Sequence, residues 1–196
     1  MSILPIYLLG TGILRKKAKP VQSLDNSIIK LAFDMTETMR KANGIGLAAP
    51  QVGELKRVIV IDQGAAERAE EETEEESPPP APKEQKTLVL INPEIQSAEG
   101  EWTMEEGCLS IPDIRAEVTR PEIIRLLYRD VNFQQHEINV SGLLARVILH
   151  EMDHLDGVLF IDHISRTKRV LLRSELKQIQ NGEVETAYPI VSAVEV

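Results

Sequence analysis

With 196 residues, 42% of them apolar and 27% charged, the chain can bury one substantial core, which sets it apart from disordered and membrane-embedded polypeptides. Its formal charge of −9 is concentrated in residues 65–80, where seven Glu and one Arg sum to −6; the other residues carry −3, and nothing in that overall balance suggests binding to DNA or an anionic membrane. The lone cysteine, Cys108, excludes an internal disulfide, and the Pro-interrupted stretch Met1–Gly10 lacks the basic flank and length of a signal peptide or membrane helix, so a reducing cytoplasm is the expected compartment.

Ile28, Leu31, Ala32, Met35 and Met39 recur at helical spacing and predict an amphipathic helix over 27–42, stopped by Asn43-Gly44. The β-branched run at 57–62 predicts a buried strand, and 88–92 a second one that Pro93 closes. Between them, residues 64–86 join the Glu run to Ser77-Pro78-Pro79-Pro80-Ala81-Pro82, a composition that cannot bury enough apolar surface to offset its ordering, so a flexible insertion is expected. Further strands are expected at 115–119 and 122–129. A second helix covers 141–155. A third, made basic by Arg166, Lys168, Arg169, Arg173 and Lys177, covers 165–180 and stops at Asn181-Gly182. The tail, 183–196, alternates enough for a final strand. Two principal helices with several short, largely antiparallel strands in one layer argue for a single α+β domain over 1–196.

The chemistry is concentrated in the second helix, at His150-Glu151-Met152-Asp153-His154. Histidines four apart lie on one helical face, so both imidazoles can reach a single metal ion. Glu151 is placed to handle a water without being a ligand. The bland alternative is a solvated amphipathic helix that happens to carry two histidines. A catalytic metal needs a third protein ligand and an open position. Two candidates exist: Cys108, in Glu106-Gly107-Cys108-Leu109-Ser110-Ile111-Pro112, and Glu175, downstream on a helix as in thermolysin-like metalloproteases. A further segment, Gly44–Gly53, is small and Gly-rich, and its one polar side chain is Gln51, whose amide can donate to a developing oxyanion. It lacks the Lys-Ser/Thr ending of a phosphate loop, which argues against a nucleotide site.

Gly44-Ile45-Gly46-Leu47-Ala48-Ala49-Pro50-Gln51, Glu106-Gly107-Cys108-Leu109-Ser110 and His150-Glu151-Met152-Asp153-His154-Leu155 together resemble the three signature motifs of the peptide deformylases, in order and spacing. The resemblance spans residues 3–165 and takes in Leu14-Arg15-Lys16. It implies a peptide-deformylase-like α+β catalytic domain, with a central metal-binding helix packed against short, mainly antiparallel sheets. The implied reaction removes the N-formyl group from the formyl-methionine of nascent polypeptides and releases formate. The implied ligands are Cys108, His150 and His154, with water in the fourth position. The native ion in the family is typically Fe(II), although Zn(II), Ni(II) or Co(II) can occupy the site.

In that scheme Glu151 is the general base and later proton donor, and the oxyanion is held by the metal, the Gln51 amide and the Leu109 backbone N–H. The peptide would lie as a strand beside Ile45-Gly46 on one side and Gly107 on the other. Ile45, Leu143, Val147 and the aliphatic part of Glu106 are candidates for the methionine pocket, with Arg115 near its rim. For Leu143 and Val147 the alternative is plain core packing. Two positions depart from the family pattern: Leu149 stands where Gln is common, and Arg146 where many members are apolar. Arg146 would either rim the pocket or pair with an acidic residue. The partner implied is an N-formyl-methionyl nascent peptide, with the ribosome as a candidate for the basic helix at 165–180; a solvated face is the alternative there. The rival readings are a peptidase using Glu175 and a non-catalytic binding module with a deformylase-like fold.

Overall fold

The computed structural model describes residues 2–66 and 86–194. Its first half holds strand β1 (Ile6–Tyr7), helix α1 (Asn26–Lys41) and strands β2 (Gly46–Ala48), β3 (Val58–Asp62) and β4 (Thr87–Glu99). Strands β5 (Trp102–Cys108), β6 (Ile111–Arg120), β7 (Ile123–Arg129) and β8 (Gln135–Ser141) follow. Helices α2 (Gly142–Leu155), α3 (Arg166–Leu171) and α4 (Arg173–Gln180) and strand β9 (Ile190–Val191) complete the order.

The Asp25 side chain caps α1 by accepting the Ile28 N–H at 3.0 Å. At the other end Asn43 takes φ 54°, the Gly44 N–H reaches the Met39 carbonyl and the Asn43 N–H the Arg40 carbonyl. That is the left-handed stop expected at Asn43-Gly44. All five residues of β3 are buried because the strand is covered on both faces. Val58 and Val60 pack with Ile28, Leu31, Met35 and Met39 of α1, while Ile59 and Ile61 pack with Ala145, Ile148 and Leu155 of α2. Helix α2 therefore lies against an antiparallel sheet ordered β2-β3-β4-β7-β8.

The strands do not form one layer. Among the described residues they divide into that five-stranded sheet, a β5-β6 hairpin and a two-stranded parallel pair, β1-β9. Strand β4 is not closed by Pro93 but runs through it. The register against β7 shifts between Ile91 and Glu94, and Asn92 adopts φ 52° with its side-chain amide tied to both backbone polar groups of Val21 at 2.8 Å. The bulge absorbs the residue that has no N–H to donate. The strand expected at 115–119 is the middle of the longer β6, and β2, β5 and β8 lie in segments where no strand was expected. The helix expected over 165–180 is broken at Leu172, which lets Leu172, Leu176 and Ile179 reach a core cluster and leaves Val170 and Leu171 exposed. Among the described residues of the tail, expected to be one strand, only Ile190–Val191 pairs with β1, and the preceding Pro189 offers no N–H. Of the expected insertion at 64–86, residues 67–85 lie outside the described residues. Among those described, no helix is long and apolar enough to cross a membrane.

Candidate metal centre and active site

Helix α2 carries His150 and His154 one turn apart, and Cys108 ends β5 where the hairpin register slips after Gly107. Packing of the hairpin against the helix brings one ligand atom from each residue within 4.8 Å of the others, with Cys108 Sγ 3.2 Å from His154 Nε2. Among the described residues this is the one such cluster. Glu175 is exposed on α4 and takes no part in it. The imidazoles meet edge to face at 5.1 Å, and Phe160 stacks on His150 at 6.1 Å. A thiol and two imidazoles, buried together, are a donor set suited to a borderline divalent cation. Burial pushes His154 well below the usual histidine range, and the charge of His150 adds to the effect, so this ring stays neutral with a lone pair to offer.

The second polar layer explains the orientation of His150. Its Nδ1 lies 2.9 Å from Glu106 Oε2, and an ionised carboxylate can only accept, so Nδ1 carries the proton and Nε2 is left for a metal. Burial alone would lower the His150 pKa, but hydrogen bonds with Cys108 and Glu106 outweigh it and the net direction is upward.

Glu106 has a second part beyond the one expected of it. It borders the cavity as anticipated, but its carboxylate is buried and bound by Arg120 Nε at 2.6 Å, Arg120 Nη2 at 2.9 Å and Arg146 Nη1 at 2.7 Å. Burial would raise this carboxyl, yet the hydrogen bonds from His150 and Arg120, together with the charge of Arg120, hold it at about 2. Arg120 also bonds Asp153 at 2.8 Å, and Asp153 meets His163 Nε2 at 2.7 Å. Arg146 is 3% exposed; it pairs with Glu106 and also borders the cavity, so both alternatives hold. It also donates to the Val118 and Trp102 carbonyls, and its guanidinium lies 4.8 Å over the Trp102 ring.

Glu151 is 4% exposed and its Oε2 is buried without a partner. Burial pushes its carboxyl up to about 7, against the opposing charges of His150 and Arg120. Strand β2 passes directly over it: a Cβ on Gly46 would lie 2.6 Å from Glu151 Oε1 and 2.8 Å from Val147 Cγ1, so only glycine permits this approach. Gln51, 1% exposed, accepts the Ala48 N–H at Oε1 (2.8 Å). That bond fixes the amide so that Nε2 faces Cys108 Sγ at 3.5 Å and Ser110 Oγ at 3.3 Å.

A cavity of about 710 Å³ opens onto these groups. Ile45 and Gly46 form one wall, Glu106, Gly107, Leu109 and Arg115 the other, and Leu143, Val147, His150 and Glu151 the floor, so every residue expected around the substrate borders it. Leu143 serves both readings, since it is also 7% exposed and hence buried. Arg120, Asp153, Trp102 and Tyr188 were not anticipated. For Arg120 a signal existed: Ile114, Ala116 and Val118 mark the inward face of β6, and Arg120 continues that alternation. Tyr188 comes from the tail, borders the cavity, and donates its hydroxyl to the Leu109 carbonyl at 2.9 Å. Burial, with the charges of Cys108 and Asp113, pushes that phenol up to about 12.

A family model described as polypeptide deformylase matches residues 3–170. The chain belongs to this family. It is 48% identical over 193 residues to a peptide deformylase of Salinibacter ruber, covering 97% of this chain and 95% of the relative. It is 44% identical over 189 residues to that of Pelodictyon phaeoclathratiforme, covering 96% and 94%. The crystal structure of a peptide deformylase from Legionella pneumophila superposes with a TM-score of 0.79 at 37% identity, over 93% of this chain and 98% of the other. That of Thermus thermophilus gives 0.78 at 36%, over 93% and 100%. The activity that goes with the family, metal-dependent hydrolysis of the formyl group from N-terminal methionine, is that of this chain.

Proposed function

We propose that the cavity beside Cys108, His150 and His154 is where the formyl amide is cleaved, with these three residues as ligands of a resident Fe(II) that Zn(II), Ni(II) or Co(II) can replace. The observation that carries this reading is Glu151: a buried carboxylate with an unpartnered oxygen, raised to about 7, next to a thiol and two imidazoles on the floor of an open cavity. A general base is most effective when its pKa lies near the working pH. A divalent ion held by Cys108, His150 and His154 would supply Lewis acidity to the reaction.

The chain's own residues do the rest. Glu151 takes the proton of the attacking water as its oxygen bonds to the formyl carbon, and returns it to the departing nitrogen as the C–N bond breaks. Formate and a free amine result. The Gln51 Nε2–H and the Leu109 N–H donate to the oxyanion between these steps. The substrate backbone pairs with Ile45-Gly46 and Gly107, and its methionine side chain fills the space between Leu143, Val147 and Arg115. Residues 1–196 act as one catalytic domain in the cytoplasm, where nascent N-formyl-methionyl chains leave the ribosome. A reducing compartment also keeps the ligand thiol available.

The test is formate release from formyl-Met-Ala-Ser. It should vanish when a chelator strips the metal and return on addition of Fe(II). Glu151→Gln should retain the metal and the fold but lose about a thousandfold in kcat. Turnover indifferent to the chelator, or a Glu151→Gln variant at the parent's rate, would overturn the assignment.

A further inference from the structure

The C-terminal tail reaches the cavity through Tyr188 although it lies beyond residue 170, where the family match ends. The Ile6 N–H donates to the Pro189 carbonyl at 2.9 Å and the Leu8 N–H to the Val191 carbonyl at 2.8 Å. The next amide, that of Leu9, donates to the Ser110 carbonyl at 2.9 Å. The tail, β1 and the 108–111 turn therefore form one continuous ladder. Tyr188 spans the same gap by its side chain. Its ring packs among the core residues around α1, Thr186 Oγ1 holds its carbonyl at 2.7 Å, and its hydroxyl donates to the Leu109 carbonyl at 2.9 Å.

We propose that Tyr188 is a positioning residue for deformylation, whose hydroxyl holds the Leu109 peptide so that the Leu109 N–H stays aimed at the oxyanion. The inference rests on the oxyanion role given to Leu109 above. The carbonyl held by Tyr188 belongs to the peptide plane after Leu109, and the N–H to the plane before it. The two planes share only the Leu109 Cα. With Cys108 drawn to the ligand cluster on one side and Tyr188 gripping the other, both dihedrals of Leu109 are restrained. Ser110, the next residue, is pinned separately by Leu9 and Gln51, so Tyr188 supplies the restraint specific to Leu109. A donor aligned before the charge develops stabilises it without reorganisation, and such alignment is lost when the supporting contact is removed.

The experiment compares Tyr188→Phe, which keeps the ring and removes only the hydroxyl, with Ser192→Ala, a half-buried change elsewhere in the tail. For Tyr188→Phe, kcat on formyl-Met-Ala-Ser should fall about fivefold while KM stays within about twofold and bound metal is unchanged. Amide hydrogen exchange at residues 108–110 should accelerate in the same variant, with or without metal, because that segment gains freedom. Ser192→Ala should match the parent in both measurements. A Tyr188→Phe variant with the parent's kcat, or one whose loss appears only in KM or in metal content, would overturn the proposal. Unchanged exchange at 108–110 would do the same. A parent that releases no formate would instead overturn the reading on which it rests, and this proposal with it.

Discussion

Glu106→Gln is the most informative single change, because it replaces one atom and removes the carboxylate charge with which Arg146 pairs. In the parent, the carboxylate accepts from Arg120 twice, from Arg146 and from His150. The amide keeps the shape but has one accepting oxygen, and its NH2 confronts a donor. Arg120 keeps Asp153 as counter-ion, while Arg146 is left buried with carbonyl partners only. Removing one member of a buried, hydrogen-bonded ion pair costs about 3–5 kcal/mol. An independent route gives a similar size: holding the carboxyl at about 2 instead of its ordinary 4.5 corresponds to about 3 kcal/mol.

For a chain of this length that is a fall of about 10 °C in thermal midpoint. The sign with pH follows from a depressed carboxyl. Its contribution is complete above the ordinary value of 4.5 and is lost as the pH falls from there towards 2, so the gap in stability between parent and variant should close on acidification below 4.5. Metal affinity should fall about 10–100-fold, since His150 loses the acceptor that orients it. Thermal denaturation between pH 3 and 7 and metal titration against a competing chelator measure both effects. A midpoint within about 2 °C of the parent, with metal affinity within about threefold, would refute the carboxylate's assigned part.

Three further changes probe other parts of the site. Cys108→Ser should weaken metal retention by at least about tenfold, because a neutral hydroxyl replaces a thiolate donor; equilibrium dialysis followed by elemental analysis reads this out. Gln51→Ala should lower kcat by about a hundredfold with KM little changed, and should cost about 1 kcal/mol of stability through the Ala48 N–H it abandons, as steady-state kinetics and chemical denaturation will show. Gly46→Ala should lower kcat by more than about tenfold with metal still bound, because β2 is pinned to Ile61 and the 2.6 Å clash must displace the Glu151 carboxylate; activity near the parent's would mean that β2 yields instead.

Much of the site was legible because its pieces are local. Helical periodicity alone places His150 and His154 on one face with Glu151 beside them, and no tertiary contact is needed to say so. The stop of α1 at Asn43-Gly44 and the burial of the β-branched run at 58–62 are local in the same way. The three motifs then favoured Cys108 as the third candidate ligand by resemblance, where the residues themselves left Cys108 and Glu175 both open.

Other features depended on where distant segments meet. Glu106 sits on a strand beside Cys108 and looks from sequence like pocket lining; only the β5-β6 register and the approach of α2 put Arg120, Arg146 and His150 around its carboxylate. Pro93 reads as a strand end, but a bulge and the Asn92 contact to Val21 carry β4 past it. The basic segment reads as one helix until Leu172 and Leu176 must reach a core that the rest of the chain builds. Tyr188 is 79 residues from the carbonyl it holds, and no pattern around it announces that contact. Spacing along one helix or strand is set by backbone geometry within a few residues, and so the chain alone determined that His150 and His154 share one helical face with Glu151 beside them. Which carboxylate, which guanidinium and which phenol surround that face was decided by the packing of segments whose relative register has no local signature.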